Sequence, residues 1–126
     1  MVGIVVVSHL KKLAEAVVEL AGLMAPEAPI VAAGGTDNGD FGISYEIISA
    51  AIDKVYTDEG IIVLIDMGSA VMKTEEVIKD KEGKKIRMVD CPMVEGALAA
   101  AVLSGEGAPF EDVLYAAQKA KTVPKY

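Results

Sequence analysis

The chain has 126 residues, 19 acidic against 12 basic, for a net charge of −7, and 52% of its side chains are hydrophobic against 25% charged. That length fits one domain, and the apolar share excludes global disorder. One cysteine, Cys91, excludes an intrachain disulfide and a four-cysteine zinc site, which fits a reducing cytoplasm, and an acidic chain with no Trp argues against nucleic acid.

Val2–Val7 is a continuous β-branched run, which predicts a strand buried on both faces. Leu13, Val17, Leu20, Ala21 and Met24 then recur at helical spacing. Ile30–Ala33 predicts a short second strand after Pro29, and Ile43, Ile47, Ile48, Ala51, Ile52 and Val55 predict the face of a second helix. Gly60–Ile65 predicts a third strand, followed by the weaker stripe Ala70, Thr74, Val77 and Ile78 and a turn at Lys81–Gly83. Lys85–Val89 predicts a fourth strand near a sheet edge, and Gly96–Leu103 is Ala-rich and closely packable. Pro109 opens a last helix with Glu111 and Asp112 in its first turn, and Lys119–Tyr126 is expected to fray. The longest uncharged stretches, Met1–Leu10 and Gly96–Gly105, are ten residues each, half of the roughly 20 that a membrane span requires. Neither membrane insertion nor a signal peptide is read from them.

Four alternations of strand and helix predict a doubly wound α/β fold, a mainly four-stranded parallel sheet with helices on both faces. In such sheets the ligand site lies outside the carboxyl ends of the strands, where strand order reverses. That rule selects Ser8 and His9, Gly34–Gly42, Asp66–Ser69 and Asp90–Gly96.

His9 is the only histidine, and at neutral pH its imidazole can serve as nucleophile, base or metal ligand. No second His or neighbouring Cys completes a zinc set, so no metal site is expected. The bland alternative is a histidine that caps or packs a helix start. The Gly34–Gly42 segment places Gly35, Thr36 and Gly39 where backbone N–H groups could cradle an anion. It lacks the endings of a P-loop and of a dinucleotide fingerprint, and it also reads as a flexible turn. Asp66 is placed to hydrogen-bond one imidazole nitrogen of His9, leaving the other for a phosphoryl donor, with Gly68 and Ser69 supplying donors at a helix start. Ser69 also reads as a plain N-cap. Glu95 either caps the next helix or faces a partner, Cys91 reads as a small buried residue, and Lys11 and Lys12 as a solvated helix face.

GIVVVSH at the start, AAGGTDNGDFGIS, LIDMGSAVM after the third strand and CPMVEGALAAA after the fourth resemble, in order, the phosphocarrier subunit of the phosphotransferase-system-dependent dihydroxyacetone kinase. That family has the mannose-type IIA fold. The resemblance implies that His9 takes a phosphoryl group from the carrier HPr and passes it to ADP on the nucleotide-binding subunit of the kinase. The ATP formed there phosphorylates dihydroxyacetone on a third subunit. It further implies that Asp66 orients His9, that Gly68 and Ser69 contact phosphate, that the chain is a cytoplasmic homodimer, and that no resident cofactor is needed beyond the transient phosphoryl group. The family usually has Ser after the histidine, where this chain has Leu10. Residues 1–126 are expected to be one IIA-like domain with no HPr or enzyme I domain fused behind it.

Three other readings compete with this one. A receiver-like signalling domain would place its phosphorylated aspartate at Asp66, but Ser8 and His9 stand where its magnesium-binding acids belong. A mannose-type sugar transporter IIA component shares the chemistry and differs in having a IIB partner. A silent binding module is the third.

Overall fold

The computed structural model describes residues 1–126. In chain order the elements are β1 (Gly3–Ser8), α1 (Lys11–Met24), β2 (Ile30–Gly34), α2 (Tyr45–Val55), β3 (Ile61–Ile65), α3 (Val71–Asp80), β4 (Ile86–Val89), α4 (Met93–Gly105) and α5 (Phe110–Lys119). Short 3₁₀ turns cover Gly68–Ala70 and Ala120–Thr122. The four strands pair in parallel in the order β2-β1-β3-β4. Every residue of β1 is buried, as an unbroken apolar run in a central strand requires. β2 and β4 form the two edges. The expected doubly wound α/β architecture is the observed one.

Each face of the sheet has its own core. Val2, Ile4 and Val6 of the β1 region share one core with residues of α1, α4 and α5, while Val5 and Val7 share the other with residues of α2 and α3. This is the alternation that a pleated strand imposes. No helix is long and apolar enough to cross a membrane.

Three local expectations need correction. On α1 the buried residues are Ala14, Val17 and Ala21, whereas Leu13, Leu20 and Met24 are exposed. The helix lies too close to the sheet for large side chains: a Cβ on Gly34 of β2 would come within 2.8 Å of the Lys11 Cα and 3.0 Å of the Ala14 Cβ. Small residues therefore face the sheet and the leucines are turned aside. Ile43 lies outside α2, bridging to Gly35 instead. Ser44 caps that helix by accepting a hydrogen bond from Ile47 N at 3.2 Å. The segment after α5 is not merely a loose end, because Lys121 and Lys125 reach Asp90 and Glu95.

Candidate active site

β1 and β3 are neighbours at the centre of the sheet. The chain leaves β1 toward β2 on one side, and it leaves β3 toward β4 on the other. Their carboxyl ends therefore flank the crevice. Asp66 N donates to Val7 O at 3.1 Å, carrying the ladder one residue past the strand and setting the Asp66 carboxylate beside His9.

That carboxylate is fully engaged. Its Oδ2 accepts from Ser8 Oγ at 2.9 Å and from the backbone N–H of His9 at 3.0 Å, and its Oδ1 lies 3.0 Å from His9 Nδ1. Burial alone would raise the pKa of Asp66, but the hydrogen bonds from His9 N–H, the Ser8 hydroxyl and the His9 ring outweigh it and hold the carboxyl below its ordinary range. An ionised carboxylate only accepts, so Nδ1 carries the ring proton. On the opposite edge of the ring, Nε2 is 2.9 Å from Ser69 Oγ. With Nδ1 protonated, Nε2 holds a lone pair that accepts the Ser69 O–H. The imidazole is thus fixed in one tautomer with its unprotonated nitrogen facing Ser69.

The sequence pairs His9 with Asp66 and leaves Ser69 open between cap and ligand contact. Ser69 makes no cap hydrogen bond, since the 3₁₀ turn starts after Met67 without one, and its hydroxyl goes to His9. The N–H groups of Gly68 and Ser69 open this turn and have no acceptor within the chain, as expected of the first residues of a helix. The glycine-rich loop behaves differently. Gly35 N donates to Ser8 O, Thr36 N to Asp40 O, Gly39 N to Thr36 O, and the Thr36 hydroxyl accepts from Asp40 N. These groups stabilise the loop itself, so an anion could use the amides only if the loop opened.

Two residues in the selected segments turn out to matter without having been assigned a role. The Ser8 hydroxyl links two groups, donating to Asp66 while accepting from Leu10 N at 3.0 Å. α1 has no side-chain cap at Leu10, and this bond fixes the helix start in its place. Phe41 lies over His9, with ring centroids 5.3 Å apart and planes inclined by 31°. A lone aromatic in an otherwise polar, glycine-rich loop was the available signal for it.

The surrounding charge is less one-sided than the loop sequences suggest. Asp37 accepts from Ser44 Oγ, Lys121 approaches Asp90 at 3.6 Å, and Lys125 meets Glu95 at 2.6 Å. The Lys125 ammonium lowers the pKa of Glu95 and is raised in return. A cleft of about 430 Å³ opens beside the Asp66–Gly68 turn, between the ends of β3 and β4, and is lined by Met67, Val71, Met88 and Cys91 among others.

A family model described as the PTS system fructose IIA component matches residues 3–114. The chain belongs to this EIIA-man family. A relative in Escherichia coli (strain K12), named PEP-dependent dihydroxyacetone kinase, phosphoryl donor subunit DhaM, is 35% identical over 127 residues, covering 95% of this chain. The chain spans only 27% of the length of that relative. A DhaM relative in Listeria innocua, the donor subunit of a PEP-dependent dihydroxyacetone kinase 1, is 38% identical, with 79% of this chain and 78% of that protein covered. Among solved structures, EF1359, a protein of unknown function, superposes with a TM-score of 0.82 at 26% identity, covering 100% of this chain and 99% of that one. This EIIA-man member is therefore of the DhaM type, as its motifs implied, and its sheet and helices form the mannose-type IIA fold.

Proposed function

We propose that this EIIA-man domain is a cytoplasmic phosphohistidine carrier. In this reading His9 Nε2 accepts a phosphoryl group from HPr and passes it to ADP on the nucleotide-binding subunit of a dihydroxyacetone kinase. The observation that carries the proposal is the bracketing of one imidazole by Asp66 at Nδ1 and Ser69 at Nε2. The names of the DhaM relatives support the kinase as destination.

The chemistry follows from the tautomer. The Nε2 lone pair attacks phosphorus, the bond from phosphorus to the donor's imidazole breaks, and its electron pair returns to the donor nitrogen. The His9 ring gains positive charge, which Asp66 stabilises through the proton kept on Nδ1. The Ser69 hydroxyl turns from Nε2 to a phosphoryl oxygen, where the Gly68 and Ser69 amides converge with it. Gly35, Thr36 and Gly39 join them in this reading only on opening of their loop. Transfer onward to ADP reverses the sequence with ADP oxygen as the nucleophile. No resident cofactor is required for these steps, and the carrier acts as a homodimer.

The test uses phosphoenolpyruvate, enzyme I and HPr to load the protein, whose mass should rise by one acid-labile phosphoryl group in wild type and not in His9→Ala. Isotopically labelled phosphoprotein is then offered either an ADP-loaded kinase subunit or a sugar-transporter IIB domain. Label should appear on ATP. Rapid transfer to IIB with none to ADP would overturn the kinase assignment and leave the histidine chemistry intact.

A further inference from the structure

Phe41 is 68% exposed, yet the ring it covers belongs to a histidine that is only 7% exposed. Two edges of that imidazole are taken by Asp66 and Ser69, and Phe41 lies against one of its faces. Its backbone is held on both sides. Asp40 O accepts from Thr36 N at 2.9 Å, and Gly42 N donates to the carbonyl of His9 itself at 2.8 Å. Gly42 has φ of 145°, and a Cβ there would approach Thr36 Cγ2 to 2.8 Å, so this anchor calls for glycine. The aromatic ring is therefore placed by the main chain of the residue that it shields, while its own exposure shows that it supplies little to either core.

We infer that Phe41 is a positioning residue that prolongs the life of the phosphoryl group on His9, an inference that rests on the phosphocarrier reading above. Hydrolysis forms a P–O bond to water, breaks the Nε2–P bond, returns its electron pair to Nε2, and releases inorganic phosphate with the water protons passing to phosphate and solvent. With Nδ1 protonated and Nε2 phosphorylated, the His9 ring is cationic, and a neighbouring aromatic face favours a cation. Loss of the phosphoryl group neutralises the ring and forfeits that attraction. The same side chain keeps water from one face of the site. The partner that takes the group gains access when the ring rotates about its own side-chain bonds, without rearrangement of the pinned backbone.

The experiment loads wild type, Phe41→Tyr, Phe41→Leu and Phe41→Ala from phosphoenolpyruvate through enzyme I and HPr, removes the donors, and follows decay of the phosphoprotein by mass at fixed pH. Thermal unfolding of each variant is measured alongside and should match wild type, because Phe41 lies outside the cores. Decay should quicken about tenfold in Phe41→Ala, the equivalent of ~1.4 kcal/mol. It should stay at the wild-type rate in Phe41→Tyr, which keeps the aromatic face, and be intermediate in Phe41→Leu, which keeps cover without it. Equal decay in wild type and Phe41→Ala, both fully loaded, overturns this inference alone. Failure of wild type to load overturns the phosphocarrier reading and this inference with it.

Discussion

Replacing Asp66 with Asn changes one atom of the site and, on the geometry above, reverses its logic. The Oδ2 position accepts two hydrogen bonds, from Ser8 Oγ and from the backbone N–H of His9, which can only donate. The Asn oxygen must take that position, so its NH₂ falls where Oδ1 faces His9 Nδ1. Nδ1 is then made an acceptor, the ring proton moves to Nε2, and the nitrogen that should attack phosphorus no longer has a lone pair. The charge that stabilises a cationic ring is lost as well. Orienting groups of this kind contribute about 10² to 10⁴ in rate, and the wrong-tautomer mechanism points to the upper part of that range. Stability should change by only about 1 kcal/mol, since two of the three hydrogen bonds are kept and the third is reversed rather than lost. The assay is rapid-quench transfer from phosphorylated HPr, with imidazole nitrogen shifts by NMR to report the tautomer. The linkage to pH follows from the same residue. The folded-state pKa of Asp66 is held below its ordinary 3.8, so its contribution to stability is present above that value and is lost as pH falls through the lower folded-state pKa. Asp66→Asn should flatten that part of the acid-unfolding profile. An unchanged transfer rate, or NMR shifts showing the proton still on Nδ1, would refute the argument.

Two further outcomes follow from groups away from the chemistry. Thr74 on α3 is buried and its hydroxyl has no hydrogen-bond partner, so the near-isosteric Thr74→Val should raise stability by about 1 kcal/mol in denaturant unfolding, and a loss of stability would show that the hydroxyl is satisfied in solution. Burial and then the Asp90 charge push the Cys91 thiol up to about 11, so at pH 8 only about one in a thousand is thiolate and alkylation of the native protein should be some hundredfold slower than that of an ordinary peptide thiol; modification at the peptide rate would contradict this.

The parts of this fold that were legible in the sequence are those in which burial and residue size agree. β1 and β3 read directly because central parallel strands need apolar residues on both faces. The small residues of α4 likewise announced a close-packed helix, and Gly96, Ala97, Ala100, Ala101 and Ser104 are its buried set. α1 misled for the converse reason. Hydrophobicity ranks Leu13 and Leu20 above Ala14 and Ala21, but the narrow gap over Gly34 selects by volume, which periodicity does not weigh. At the candidate site, the rule that ligands bind at strand ends selected His9 and Asp66, and the DMGS turn offered Ser69; the structure brings all three side chains into hydrogen-bond contact. The contact of Phe41 with His9 and the pairing of Lys125 with Glu95 were not legible, because they depend on how a loop and a chain end fold back across the sheet.

The placement of Asp66 ties chemical competence to completion of the sheet. It is separated from His9 by 57 positions in the chain, and the two meet only after the polypeptide has run out through α1, β2 and α2 and β3 has been laid beside β1. Such a non-local contact forms late relative to local helices. Before that closure the histidine is present as a residue without its proton partner, and neither ring nitrogen is reserved for phosphorus. If His9 is the phosphoryl acceptor proposed above, its labelling reports that the centre of the molecule has assembled, and a nascent or unfolded copy draws little phosphoryl flux from the donors.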